Sequence, residues 1–302
     1  MQHRISKQII HIRSDSTSEV HSMQEKLSRL FWQKIVPLLE EVFDRFSEEG
    51  IVLKIDRLEI DLGNYAAFEA LERNLLEELK RLLEMELAKL IKGSRKTVIQ
   101  IPLAKNNFEQ WLFFLEHGYL PWDITTTVST WKRDALETLA LEADAIQQFR
   151  ERARKQPLII ERLILQHNHE FLQSIAEVFS SFRQEKLVLA LSELRALAGS
   201  LDGLQLTNAI DKLKGRKLER YFWSEVFQAL ILDESRVEST YLIALFLMPA
   251  FPEVVLGQII SVVSKREYPV LNEALEKLKQ QNEQIYLKAG EAYKEASENI
   301  LQ

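Results

Sequence analysis

Three carboxylates lie close together in the sequence, at Asp56, Glu59 and Asp61. Two carboxylates held at different pKa values can act as a general acid and a general base. Odd and even positions of a strand point to opposite faces, so Asp56 and Asp61 share a face only if the strand between them is irregular. A solvated row of acids needs no catalysis to explain it. We therefore predict that this chain is not an enzyme.

A second candidate for chemistry is the run His167-Asn168-His169. Residues two apart on a helix point in different directions, so the two imidazoles cannot readily share one metal ion. We predict that both are surface or helix-end histidines. The sequence also contains no glycine-rich phosphate loop, no nucleophile elbow and no zinc-protease pair. It therefore predicts no catalytic residue, cofactor or metal site.

The composition predicts a folded protein rather than a disordered one. Of the 302 residues, 46% are hydrophobic and 28% are charged, which allows a substantial core. The formal net charge of -6 argues against sequence-independent binding to nucleic acid, which requires a basic surface. The lack of cysteine excludes disulfides and Cys-based metal sites and fits a reducing cytoplasm. Because Met1–Arg13 has no apolar core of signal-peptide length, we expect a cytoplasmic protein.

The residues around the acids predict a small α+β head over residues 1–123. Its strongest strand pattern is Ile51–Gly63, in which the apolar positions change parity by one residue at Asp56-Arg57. A β-bulge at that point would keep both halves of the strand facing the core. Gly63 would end the strand.

Two shorter strands, Arg4–Arg13 and Thr97–Ile101, are predicted from alternating isoleucines. The two long helices between the three strands have apolar residues every three or four positions, and Pro37 lies inside the first helix. Proline lacks an amide hydrogen and clashes with the preceding turn, so a kink or short break is expected near Ile35–Pro37. Parallel and antiparallel pairing of the strands both remain open.

From residue 124 onward the pattern is helical only, so we predict a mainly α protein with a bundle or an array of helical hairpins over residues 124–268. Thr240–Val263 is apolar enough for a membrane helix to be considered. A span needs about 20 continuous apolar residues, whereas Pro249 and Pro252 divide this stretch into pieces of about 10. Membrane insertion is therefore not expected.

Residues 269–302 are predicted to form a separate C-terminal helix with a heptad pattern. Its seam is Leu271, Leu275, Leu278, Asn282, Ile285, Ala289, Ala292 and Ala296. One interpretation is a coiled coil in which Leu275 and Leu278 pair with a second copy and make a homo-oligomer. The other is an amphipathic helix docked on the chain's own bundle. Both interpretations remain open at this point.

Several blocks of the sequence resemble one protein family. Asp56-Arg57-Leu58-Glu59-Ile60-Asp61-Leu62-Gly63 looks like a signature near the N-terminus of contractile injection system tape measure proteins, which belong to phage-tail-like particles. A second block contains Trp111-Leu112-Phe113-Phe114-Leu115, Gly118 and Leu120-Pro121-Trp122. His11-Ile12-Arg13 resembles the strand that opens the family, and Arg162-Leu163 after Pro157 is again family-like. The resemblance covers roughly the first half of the chain.

The resemblance implies a bacterial structural or assembly protein that associates with the inner tube or baseplate and helps to set or initiate tube length. Its partners would be tube, baseplate or other particle proteins, and neither nucleic acid nor a membrane is expected. For the aromatic residues, core packing is the preferred interpretation and partner contact the alternative. The residues predicted to bind a partner are Asp56, Arg57, Glu59, Asp61, Gly63, Trp111, Leu120, Pro121, Trp122, Leu275 and Leu278.

Two other functions are compatible with the sequence. A cytoplasmic helical adaptor or chaperone would use the same head to bind a protein client, in a soluble complex that never enters particles. Membrane attachment through Thr240–Val263 would make solubility dependent on detergent.

Overall fold

The computed structural model describes residues 3–13, 20–65, 68–93, 98–120, 128–198, 215–232, 237–250, 253–264, 268–284 and 287–291. The chain is mainly helical and divides into two compact units. The first unit contains residues 1–107 and 121–125, and the second contains residues 108–120 and 126–302. The aromatic block from Phe108 to Leu120 thus belongs to the second unit.

The first unit begins with two helices joined by a π-helical turn. Helix α1 spans Val20–Leu30, the π turn spans Phe31–Ile35 and α2 spans Val36–Phe46. The Val36 amide donates to the Phe31 carbonyl, five residues earlier. Pro37 follows directly, and the wider turn accommodates a residue that has no amide hydrogen and clashes with a regular preceding turn. The irregularity predicted near Ile35–Pro37 is confirmed.

The described residues of this unit contain two strands. Strand β1, Ile51–Ile55, pairs antiparallel with β2, Val98–Pro102, so that Leu53 lies opposite Gln100. Helix α3, Phe68–Lys92, lies between them in the chain. The predicted strand at Thr97–Ile101 is confirmed as β2 within one residue, although Thr97 itself lies outside the described residues.

The prediction of a further strand at Arg4–Arg13 is wrong for this structure. In the described part of the chain these residues form no ladder with another segment. Their isoleucines stay 43% to 58% exposed. Alternation of apolar residues favours a strand, but a strand forms only where a neighbouring backbone supplies its hydrogen bonds.

The predicted β-bulge at Asp56-Arg57 is also wrong. The chain bends at Asp56 and leaves the sheet, so the parity change lies between β1 and a separate segment rather than inside one strand. Leu58, Ile60 and Leu62 still pack half-buried against the helical core. Their alternation with exposed residues has the period of two that an extended chain produces.

The core of the first unit lies among α1, the π turn, α2 and α3. Its buried members are Leu30, Ile35, Leu38, Val42, Leu75, Leu79, Leu83 and Leu87. The four leucines of α3 recur every fourth residue, which places them on one face of the helix. At the surface beside this core, Arg45 pairs with Glu84 and Lys80 pairs with Glu41, each at 2.8 Å. Such exposed ion pairs add little stability.

The second unit is built from short helices. These are α4 Leu103–His117, of which residues 108 onward belong here, α5 Val128–Leu141, α6 Ala143–Lys155, α7 Leu158–Gln166, α8 His169–Ser180, α9 Lys186–Ala198, α10 Gly215–Leu232, α11 Ser239–Ala250, α12 Glu253–Val263 and α13 Pro269–Gln281. The apolar stretch Thr240–Val263 supplies buried residues to this core from α11 and α12. Across the described ranges, no helix is both long and apolar enough to span a membrane.

Helix α13 docks on its own unit, which is the second of the two interpretations of the heptad seam. Leu271, Leu275 and Leu278 are buried beside α9 and α11. The Glu193 carboxylate of α9 accepts from the amides of Val270 (3.2 Å) and Leu271 (2.9 Å) and so caps the N-terminus of α13.

The seam is also interrupted. Helix α13 ends at Gln281, with the Asn282 amide bonded to the Leu278 carbonyl. Ile285, Ala292 and Ala296 lie outside the described residues. A coiled coil through Leu275 and Leu278 would therefore require α13 to leave the positions it occupies in this structure.

We predict that Leu278→Ala destabilises the second unit rather than dissociating an oligomer. The Leu278 side chain is 0% exposed, and truncating such a leucine costs about 2–5 kcal/mol. Leu287→Ala is the matched control, since Leu287 is 53% exposed and its loss should cost less than about 0.5 kcal/mol. Urea unfolding followed by tryptophan fluorescence measures both. Equal, small changes would show that α13 is not docked.

Candidate functional site

Residues 56–63, here called the acidic segment, follow β1 directly. The side chains of Leu58, Ile60 and Leu62 point toward the core of the first unit, while the charged residues between them face solvent. The exposed residues are Asp56, Arg57, Glu59 and Asp61. The four charged residues predicted to bind a partner are therefore all accessible.

Two local contacts order the acidic segment. The Arg57 guanidinium pairs with the Glu59 carboxylate, and because both are exposed this pair adds little stability. Asp61 Oδ1 accepts a hydrogen bond from the Gly63 amide at 2.9 Å. Gly63 has φ +75°, a conformation that glycine adopts without a Cβ clash. Gly63 therefore shapes the turn that ends the segment.

The described residues contain no group of three His, Asp or Glu side chains placed to hold a metal ion. The acids of the acidic segment instead form a charged, solvated surface. Chemically, such a surface can bind basic groups.

The aromatic block packs mainly inside the second unit. Trp111 is 1% exposed and stacks on Phe149 with ring centroids 5.8 Å apart. It also contacts Phe108 and Phe171, at 6.0 and 6.3 Å. Trp111 thus serves in the core, the role preferred from the sequence, and in this structure offers no surface to a partner.

The C-terminal end of α4 carries exposed aromatic and apolar side chains. The His117 ring stacks on Phe113 with centroids 4.0 Å apart, and Tyr119 meets Phe113 edge-on at 5.7 Å. Tyr119 and Leu120 are 61% and 39% exposed. We call Phe113, His117, Tyr119 and Leu120 the α4-end cluster. Pro121 and Trp122 follow it in the chain but lie outside the described residues.

Arg162 ties the end of α4 to α7. Its Nη1 donates to the carbonyl oxygens of Leu115 at 2.7 Å and Glu116 at 2.6 Å. These carbonyls lie in the last turn of α4, where no later helical amide can satisfy them. Gly118 has φ +80°, and a Cβ added there would lie 3.2 Å from Arg162 Nε. Glycine is needed for both the backbone conformation and the close guanidinium.

Three of the family-like residues, Leu115, Gly118 and Arg162, thus meet at the end of α4. The sequence model described as contractile injection system tape measure protein matches residues 2–300. The chain belongs to this family. The match extends well beyond the first half that the recognised blocks cover. No curated protein and no solved structure matches the chain.

In this tape measure protein, two arginines of α6 act in the same way as Arg162. Arg154 Nη2 donates to the Ile231 carbonyl at 2.7 Å, in the last turn of α10. Arg150 Nη2 donates to the Phe179 carbonyl at 3.3 Å, in the last turn of α8. Sequence reasoning missed these contacts. The sequence contained one indication of these contacts. Arg150 occupies a position that faces the core in the helical period, where an apolar residue would be expected.

The two histidines were predicted to be surface or helix-end residues, and the helix-end alternative is confirmed. His167 follows α7 and His169 begins α8. His167 is half-buried, and its Nε2 accepts from the buried Trp111 indole at 3.1 Å. His169 Nδ1 accepts from the Trp223 indole at 2.9 Å. The sequence places each imidazole far from its indole, so nothing local indicated these pairs.

Burial lowers the pKa of His167 to about 4, with a smaller contribution from the Lys132 ammonium. The neutral imidazole is the form that accepts the Trp111 hydrogen bond, so protonation would remove that acceptor. Asn168 Oδ1 accepts from the Phe171 amide at 3.2 Å and caps α8 between the two histidines.

Replacing Arg162 with methionine should destabilise the second unit by about 1.5–3 kcal/mol, because the charged donor to two helix-end carbonyls is lost. Arg183→Met removes a guanidinium that is exposed together with its partner, Glu185, and should cost less than about 1 kcal/mol. Urea unfolding of both variants provides the comparison. If the two costs are equal, Arg162 is not a structural cap.

The pH dependence of stability should report the half-buried His167. The unfolded imidazole takes up a proton near pH 6.5, whereas the folded one does so only near pH 4. Stability is therefore unaffected by His167 above pH 7 and falls as the pH drops from 6.5 to 4, by up to about 3 kcal/mol. His167→Gln retains an acceptor for Trp111 and should flatten the curve in this window. Parallel wild-type and variant curves from urea unfolding would contradict this assignment.

Proposed function

We propose that this chain acts in its folded state to initiate assembly of the inner tube of a contractile injection particle, rather than as an extended ruler. The family match supports a structural or assembly role. The choice between initiator and ruler depends on one observation, the amount of aromatic surface that the second unit buries.

A ruler has to be extended, because its reach must scale with its number of residues. Helices α5 to α13 run from only 9 to 18 residues and pack on one another. They bury Trp111, Phe149, Phe222, Trp223 and Phe227 almost completely. Exposing a large apolar side chain costs about 1.5–3 kcal/mol, so extension would oppose a large sum of such terms.

The length of the described helices leads to the same proposal. The longest is α3, whose 25 residues reach about 38 Å. Even a continuous straight helix of all 302 residues would reach only about 450 Å. The folded chain is therefore better suited to hold partners together at the start of tube growth.

Two surfaces are proposed to hold those partners, each on its own unit. The α4-end cluster presents an exposed tyrosine and leucine, and aromatic and apolar side chains of this kind are frequent anchors in interfaces. The acidic segment presents carboxylates suited to a basic partner. Pro121 and Trp122 belong to this proposal by their position after Leu120. Particle components of the tube or baseplate are the proposed partners, and the cytoplasm is the proposed site of assembly.

Particle length distinguishes an initiator from a ruler. We predict that inserting a 20-residue helical segment between Leu141 and Glu142, at the exposed end of α5, leaves particle length unchanged. A ruler would instead lengthen the particle by roughly 30 Å if the insert is helical and roughly 65 Å if it is extended. Electron microscopy of particles from the producing bacterium measures this length. Lengthening in proportion to the insert would overturn the initiator proposal.

The companion variant tests the α4-end cluster. Tyr119→Ser with Leu120→Ser should lower the number of particles while those that form keep normal length. Leu232→Ser, which alters an exposed leucine at the end of α10, is the control and should leave the number unchanged. A normal particle number for both variants would remove the cluster from the proposal. A chain that forms stable complexes but never co-purifies with particles would favour the adaptor alternative instead.

A further inference from the structure

The first unit contains a segment that has a strand-like sequence but forms no ladder with any other described residues. In residues 4–13, here called the N-terminal segment, the isoleucines remain about half exposed. His3 Nε2 lies 2.7 Å from Asp44 Oδ1, and Ile10 lines a shallow hollow with Leu27 and Phe31. The segment therefore rests beside α1 and α2 of its own unit, and this position leaves about half of the surface of its isoleucines in water.

Among the described residues of the same unit, one edge of β1 has no paired strand. Strand β1 is bonded to β2 along one edge, and the sheet has two strands in the described part of the chain. The acidic segment continues from β1, and among the residues described here no backbone hydrogen bond joins residues 57–62 to another segment. Open edges of this kind are where a further strand can add.

The charges of the two segments are complementary. The N-terminal segment contains Arg4, Lys7 and Arg13 and no acidic residue. The acidic segment contains three carboxylates and one guanidinium, and that guanidinium already pairs with Glu59. Opposite charges on adjacent strands stabilise their pairing and fix which strands meet.

We propose that the N-terminal segment of one copy of this chain adds as a strand to the open edge of β1 and the acidic segment of a second copy. Addition supplies backbone hydrogen bonds to both segments and buries isoleucines that are exposed in the single chain. The occupant is a second copy because, in the single chain, the segment lies beside α1 and α2 and not along its own β1 edge. The copy that donates its segment has to break the contact between His3 and Asp44. This self-association goes beyond the proposed role in tube initiation and is measured on the isolated protein.

Cross-linking tests the contact directly, since the chain contains no cysteine. Full-length Gln8→Cys and Glu59→Cys proteins are mixed, treated with a short bifunctional thiol reagent and separated on a denaturing gel. A dimer that forms in the mixture, with mass spectrometry placing the link between positions 8 and 59, is the expected result. No such dimer overturns the proposal. A second protein carries both Gln8→Cys and Glu59→Cys in one chain. If its monomer forms an internal link at concentrations where the mixture of single variants gives no dimer, the segment closes on its own chain and the proposal is overturned.

The charge dependence provides a second, independent measurement. Removing the three carboxylates should weaken the dimer roughly tenfold at low salt, because the exposed ion pairs across the contact are lost. The variant is Asp56→Asn, Glu59→Gln and Asp61→Asn, in which position 61 keeps an acceptor for the Gly63 amide. The control, Glu25→Gln, Glu40→Gln and Glu77→Gln, makes the same charge change at other exposed positions of the first unit. Light scattering measures both dissociation constants. Equal weakening in variant and control, or a wild-type chain that stays monomeric, overturns the proposal.

Discussion

The structure of the second unit depends on satisfying the ends of many short helices. Each α-helix leaves four amides and four carbonyls without partners inside the helix, and dividing a chain into short helices multiplies these groups. Arg150, Arg154 and Arg162 each donate to carbonyls in the last turn of another helix. Glu193 and Asn168 accept from amides in the first turns of α13 and α8. Because each bond requires a particular end to meet a particular side chain, these contacts help to specify how the helices are arranged.

The two indole–imidazole pairs extend this principle into the aromatic core. A buried indole needs an acceptor for its N–H, and Trp111 and Trp223 find theirs on His167 and His169. Both histidines lie at the junction of α7 and α8, where the backbone turns and places neighbouring side chains in different directions. The spacing that made this pair unsuitable for a shared metal ion therefore suits two separate tryptophans.

Sequence patterns predicted the structure correctly where neighbouring residues determine it. Helical periodicity identified the long leucine stripe of α3, and Pro37 located the irregular turn before it in the chain. Sequence patterns failed to predict the structure where residues distant in the sequence determine it. Arg4–Arg13 alternates like a strand but has no strand neighbour among the described residues, and a heptad seam reads the same whether it faces a second copy or its own core. The Glu193 cap that holds α13 comes from a residue 77 positions away from Val270, which no local pattern reveals.

The interlocking of helix ends also bears on how a member of this family could work. Releasing one helix from the second unit exposes aromatic side chains to water. It also leaves an arginine or a glutamate without the backbone groups that it binds. The free-energy cost of such a partial opening is therefore high. The unit should therefore stay folded or lose its structure cooperatively. This expectation supports the proposed initiator over a ruler that extends gradually. The first unit differs, because the side chains of its acidic segment and of its N-terminal segment are already exposed. A partner could contact them without displacing a packed helix. The two surfaces proposed for partners, the acidic segment and the α4-end cluster, are exposed in the folded chain, so binding there would leave the core of the second unit intact.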